Sequence, residues 1–92
     1  MQQDSAQTIA LQALSWIAEQ DEVFLSFLNA SGASAADLGA QAADATFQGA
    51  ILDFLLSDDA WVVAFCDALG LRYADPMAAR MALPGGVQTN WT

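Results

Sequence analysis

The sequence has no lysine and no histidine, and only two basic residues, Arg72 and Arg80. Against these stand eleven acids, for a net charge of −9. Proteins bind nucleic acid by neutralising phosphates with lysine and arginine, so this balance excludes that role. It also excludes attraction to anionic membrane surfaces. The lack of histidine removes the commonest general base. One cysteine, Cys66, rules out an intramolecular disulfide and any multi-cysteine zinc site. The first residues, Met1-Gln2-Gln3-Asp4, carry neither a basic stretch nor an apolar core of a leader peptide, so the expected compartment is the cytoplasm. The longest strongly apolar run, Ala60 to Cys66, is far too short to span a bilayer.

What is present is apolar. Hydrophobic residues make up 55% of the chain and charged residues only 14%. Alanine alone supplies 20 of the 92 positions, but large side chains are plentiful too. Such a composition folds rather than staying disordered. The length suits one domain over residues 1–92, with a helical core over about 4–83 and a C-terminal tail over 84–92.

The periodicity is helical throughout, with no alternation of the β type, and predicts a compact all-α bundle of about five or six short helices. Asp4 or Ser5 is placed to cap the first helix, which runs to about Gln20. Its large residues Ile9, Leu11, Leu14, Trp16 and Ile17 cover most of its circumference, leaving a polar stripe of Thr8, Gln12, Ser15 and Glu19. Asp21 is placed to cap a second helix through Val23, Phe24, Phe27 and Leu28, stopped near Gly32. Ser34-Ala35-Ala36-Asp37 reads as a capping box before a small helix around Leu38. Asp44 is placed to cap a fourth helix with the stripe Phe47, Ile51, Phe54 and Leu55, and with Asp53 and Ser57 on its other side. Asp58 or Asp59 opens a fifth, apolar nearly all round and ending at Gly70, which makes it the expected central helix. Asp75-Pro76 is an acidic cap followed by proline at a first helical position, and starts a last helix from Pro76 to about Leu83. Pro84-Gly85-Gly86 ends it.

Nine of the eleven acids are aspartates, and most fall at expected helix starts. Capping accounts for them better than metal binding, and no stretch has the spacing of a calcium loop. Cys66, in the run Val62-Val63-Ala64-Phe65-Cys66, reads as an inert core thiol. The segment Phe24 to Ala43 has the rhythm of a helix-turn-helix, but its second helix, Ser34 to Gln41, holds no basic residue and one aspartate, so it reads as a helical hairpin. Trp16 and Trp61 lie on helical stripes and are expected in the core. Trp91 follows a Gly-Gly pair and is expected to fold back on the bundle or to anchor a partner.

Three stretches carry a resemblance: Leu11 to Ala18 (LQALSWIA), Leu52 to Cys66 (LDFLLSDDAWVVAFC), and the ending Leu83-Pro84-Gly85-Gly86 through Asn90-Trp91-Thr92. From about Ala10 to Thr92 the chain resembles a bacterial domain-of-unknown-function family, number 3572. The resemblance implies a small helical protein and brings no catalytic or binding residues with it.

No reaction is legible, so the expectation is a non-enzymatic chain without cofactor or metal. The favoured function is a protein–protein interaction or adaptor module, acting on a protein partner or as a homodimer. Its motivation is the excess apolar arc of the first and fifth helices. Trp91, Trp16, Arg80 and Arg72 are the candidate contact residues. The alternative is a domain that binds a small ligand or divalent metal through Asp53, Asp58 or Asp67.

Overall fold

The computed structural model describes residues 1–84. Six α-helices follow one another: α1 (Gln3–Ala18), α2 (Asp21–Ser31), α3 (Leu38–Gln41), α4 (Ala45–Leu56), α5 (Asp59–Leu69) and α6 (Asp75–Ala82). A 3-10 turn, Ala35–Asp37, leads into α3. There is no strand among the described residues.

Helix α1 packs against α2, α4 and α6, and α4 packs against α1, α2, α5 and α6. The centre is therefore the α1–α4 pair, and the expectation of a central α5 is corrected. On α5 only Val62, Phe65 and Cys66 are buried, whereas Val63 and Leu69 are exposed. An apolar arc marks a helix that has apolar residues to spare, but not which helix its neighbours surround. The centre instead uses small residues: Ala6, Ala10 and Ala13 of α1 and Ala79 of α6 are fully buried. Alanine lets helix axes approach closely, and Ile9, Ile17, Ile51, Leu52 and Leu55 then fill the space around the contact.

Two aspartates cap as expected. The Asp44 carboxylate accepts from Phe47 N at 3.1 Å, and Asp58 accepts from Ala60 N at 2.9 Å. The others are corrected. Gln2, Gln20 and Ala74 hold the capping positions of α1, α2 and α6, with no side-chain bond from any of them. Asp4 and Asp21 lie inside the first turn, where a negative charge still faces the positive helix end. Asp75 is itself the first residue of α6 and Pro76 the second. The Asp75 carboxylate turns back to accept from Arg72 N at 3.0 Å, closing the preceding loop instead of capping the helix. Ser34 forms no capping box, because its hydroxyl donates to the Asp37 carboxylate at 2.8 Å.

Helix α5 ends as the glycine predicts. Gly70 has φ 71°, the left-handed region, and Leu71 N donates to Cys66 O at 2.9 Å. This turn aims Leu71 back at the core and starts the short loop to α6. The segment after α2 holds only the 3-10 turn and the four residues of α3, too short for a recognition helix.

Candidate functional site

The side-chain hydrogen bonds and ion pairs of the charged residues are dispersed over the molecule. Arg80, on α6, is the most constrained. Its Nε donates to Asp53 Oδ1 at 2.6 Å and its Nη1 to the Pro84 carbonyl at 3.3 Å. Its side chain is only 13% exposed. The guanidinium lies across Gly49 of α4, so close that a Cβ there would meet Nη1 at 3.1 Å. Glycine at position 49 thus makes room for the ion pair that ties α6 to α4. Arg72 is the opposite case: its side chain is 90% exposed, with Nε 3.5 Å from Asp75 Oδ1. A pair that open to water contributes little to stability.

Asp67 accepts a hydrogen bond from the Tyr73 hydroxyl at 2.8 Å. That bond, together with the carboxylate charge, raises the Tyr73 pKa above its ordinary value. Cys66 is fully buried, and its thiol donates to the Arg72 carbonyl at 3.4 Å. Burial pushes the thiol pKa up, and the Asp75 and Asp67 charges push it further. Both effects disfavour the thiolate, the reactive form.

The three acids of the ligand-binding alternative are not brought together. Asp53 goes to Arg80, Asp58 to its own helix start and Asp67 to Tyr73. Among the described residues no group of three or more acids or thiols is placed to hold a metal ion.

Six aromatic residues fall into a connected set of four and a separate pair. Phe27 meets Phe47 edge-on at 5.9 Å and Phe54 at 5.3 Å, and Phe54 stacks on Trp61 at 4.9 Å. Trp16 meets Phe65 edge-on at 6.1 Å. Trp16 and Trp61 are thus half-buried at the edge of the core, a partial departure from the expectation of core burial. Trp16 also lines a groove of about 290 Å³ between α1 and α5, with Gln12, Glu19 and Leu69. Trp91 and the contact expected of it lie outside the described residues.

Several large apolar side chains face outward. Leu25 is 62% exposed, Met77 52% and Met81 47%; Leu11, Val63 and Leu69 are exposed to a lesser degree. Met77 and Met81 are one helical turn apart and share a face of α6. Leu25 and the methionines are absent from the candidate contacts read from the sequence. The signal for Leu25 was there, since it falls off the face shared by Val23, Phe24, Phe27 and Leu28.

The fold defines a small all-helical domain over the described residues. Residues 3–86 match the family described as "Protein of unknown function (DUF3572)", and the chain belongs to that family. No curated protein and no solved structure matches it. Among the described residues no helix is long and apolar enough to cross a membrane.

Proposed function

We propose that this protein is a non-enzymatic interaction module of the cytoplasm, working through contact with a protein partner or with a second copy of itself. The observation that carries the reading is the pair Met77 and Met81, exposed on one face of α6 while Ala79 of the same helix is buried. Apolar side chains scattered singly on a surface are ordinary. A pair of methionines one turn apart is an apolar strip, and methionine side chains adapt readily to a partner's shape. Leu25 extends the apolar inventory to α2. The charge of −9 favours a basic partner surface and works against self-association.

The ligand-binding alternative has no observation in its favour, because its three carboxylates are engaged separately. The test is affinity capture of the tagged protein from its native cells, with mass spectrometry of the captured material. A stoichiometric partner that is lost on Met77→Ser/Met81→Ser supports the reading. A clean preparation that is also monomeric by light scattering refutes it.

A further inference from the structure

The oxidisable sulfur of this protein is divided between its surface and its interior. Met1, Met77 and Met81, the three methionines of the chain, are all exposed, and none belongs to the core. Cys66, the one thiol, is fully buried and donates to the Arg72 carbonyl at 3.4 Å. Its burial, beside the charges of Asp75 and Asp67, disfavours the thiolate that an oxidant attacks. Two of the three thioethers, Met77 and Met81, stand one turn apart on α6 and share one patch of surface. The attachment of α6 to the bundle lies on another side of the helix. Pro76, Ala79 and, just past the helix end, Leu83 are buried at i, i+3 and i+7. Arg80, beside them, pairs with Asp53.

We propose that Met77 and Met81 are a paired oxidation site, at which a peroxide turns the apolar strip of α6 into a polar one while the fold stays intact. Each thioether sulfur takes one oxygen of hydrogen peroxide. An S–O bond forms, the O–O bond breaks, and the second oxygen leaves as hydroxide, which collects the proton of the transferred oxygen to become water. The sulfur is oxidised by two electrons and the peroxide is reduced. A dithiol reductant reverses the step: the sulfoxide oxygen leaves as water and the two thiols become a disulfide. A sulfoxide is polar and accepts hydrogen bonds, so two of them one turn apart abolish the apolar strip. A methionine in a core would carry the same change inward and loosen the packing, whereas here the buried residues of α6 contain no sulfur. The consequence for binding rests on the interaction reading above: oxidation releases the partner held by this strip, and reduction restores it. Leu25, the exposed apolar residue of α2, has no oxidisable group and is left as it was.

The test treats the full chain with hydrogen peroxide and follows each sulfur by mass spectrometry of its peptides. Met77 and Met81 are expected to oxidise within about threefold of the rate of free methionine, and Cys66 to stay reduced while the chain is folded. The circular dichroism spectrum is expected to stay helical, with the thermal midpoint moved by less than about 4 °C, the range of a surface substitution. On a phenyl matrix the oxidised chain is expected to elute earlier than the untreated one. Met77→Leu/Met81→Leu keeps the strip apolar without sulfur, and peroxide is expected to leave its elution unmoved but for the part that Met1 contributes. Protection of either methionine by more than about tenfold overturns the proposal. So does unfolding on oxidation, or an equal elution shift in the double variant. A native partner lost from the oxidised chain, and regained after treatment with a methionine sulfoxide reductase and dithiothreitol, supports the release. A partner held equally by the oxidised and untreated chains overturns the release and leaves the interaction reading standing. Capture of no partner, with a monomeric chain, removes the interaction reading, and the oxidation rates and elution shift then decide the site by themselves.

Discussion

Substituting Gly49 by alanine tests the junction of α4 and α6 from both sides. In an unobstructed helix, glycine to alanine stabilises by about 0.8–1.0 kcal/mol. Here the new methyl group would lie 3.1 Å from Arg80 Nη1 and 3.2 Å from Cζ, tighter than ordinary van der Waals contact. The guanidinium has little room to retreat, because Asp53 holds Nε at 2.6 Å and the Pro84 carbonyl holds Nη1 at 3.3 Å. Forcing a methyl into a packed contact costs about 1–3 kcal/mol. The two effects oppose each other, and Gly49→Ala is expected to be neutral or destabilising by up to about 2 kcal/mol. Arg80→Ala removes the obstruction. By itself it is expected to cost about 1–2 kcal/mol, mostly packing of the arginine stem. The ion pair contributes under about 1 kcal/mol, because Asp53 is 59% exposed. In the Arg80→Ala background Gly49→Ala should recover the full propensity gain of about 1 kcal/mol. Urea unfolding of the four proteins, followed by circular dichroism, gives the coupling, expected at about 1–3 kcal/mol. An equal gain of about 1 kcal/mol from Gly49→Ala in both backgrounds would show that Arg80 does not lie fixed across Gly49, and would refute the reasoning.

Further expectations follow from the same contacts. Removing the bonded caps, Asp44→Ala or Asp58→Ala, should cost about 1 kcal/mol each in urea unfolding. Asp4→Ala and Asp21→Ala, which lose only a charge near a helix end, should cost about 0.3–0.5 kcal/mol, and less at high salt. Tyr73 is the only tyrosine, so ultraviolet titration reads it alone. Its midpoint should lie above 10.0 and fall towards that value in Asp67→Ala. Because the folded value is the higher one, this bond's contribution to stability is complete below the unfolded tyrosine pKa and is lost as pH rises through the folded value. Cys66, the one thiol, should react with a disulfide reagent at pH 8 only as fast as the fold opens, and at once in denaturant. Calcium or magnesium should leave the unfolding midpoint unmoved, since a ligand that binds only the folded state raises it.

The helices were legible in the sequence because their punctuation is chemical. Asp44, Asp58, Gly32 and Gly70 sit where expected, and the structure uses them that way. Asp75-Pro76 located α6 to within a residue but misassigned the aspartate, whose carboxylate reaches the amide of Arg72. A cap signal fixes a helix start more firmly than it fixes the partner of the side chain. The centre of the bundle was not legible. Periodicity counts large side chains, and α5 has the most continuous run of them, but close approach of helices depends on small ones. Ala6, Ala10, Ala13 and Ala79 read as filler in the sequence and are the contact surface in the fold. Gly49 was equally silent, because its reason is Arg80, thirty-one positions away in the chain. The same limit applied to the candidate site. That Arg80 would find an acid was predictable from the charge balance, but which acid was not. That Phe27 and Phe54 meet edge-on at 5.3 Å depends on how α2 and α4 pack together, and neither stripe alone contains that information.

Hydrogen exchange of the captured complex against the free chain is the sharpest test of the proposal that this chain works by contact. Added protection is expected to be confined to segments that present apolar surface, α6 around Met77 and Met81 and α2 around Leu25. The interior of α1, already buried, should exchange at the same rate in both. Identical exchange in the free and captured chains at every segment would contradict the claim, as would protection confined to the acidic start of α5 at Asp58 and Asp59.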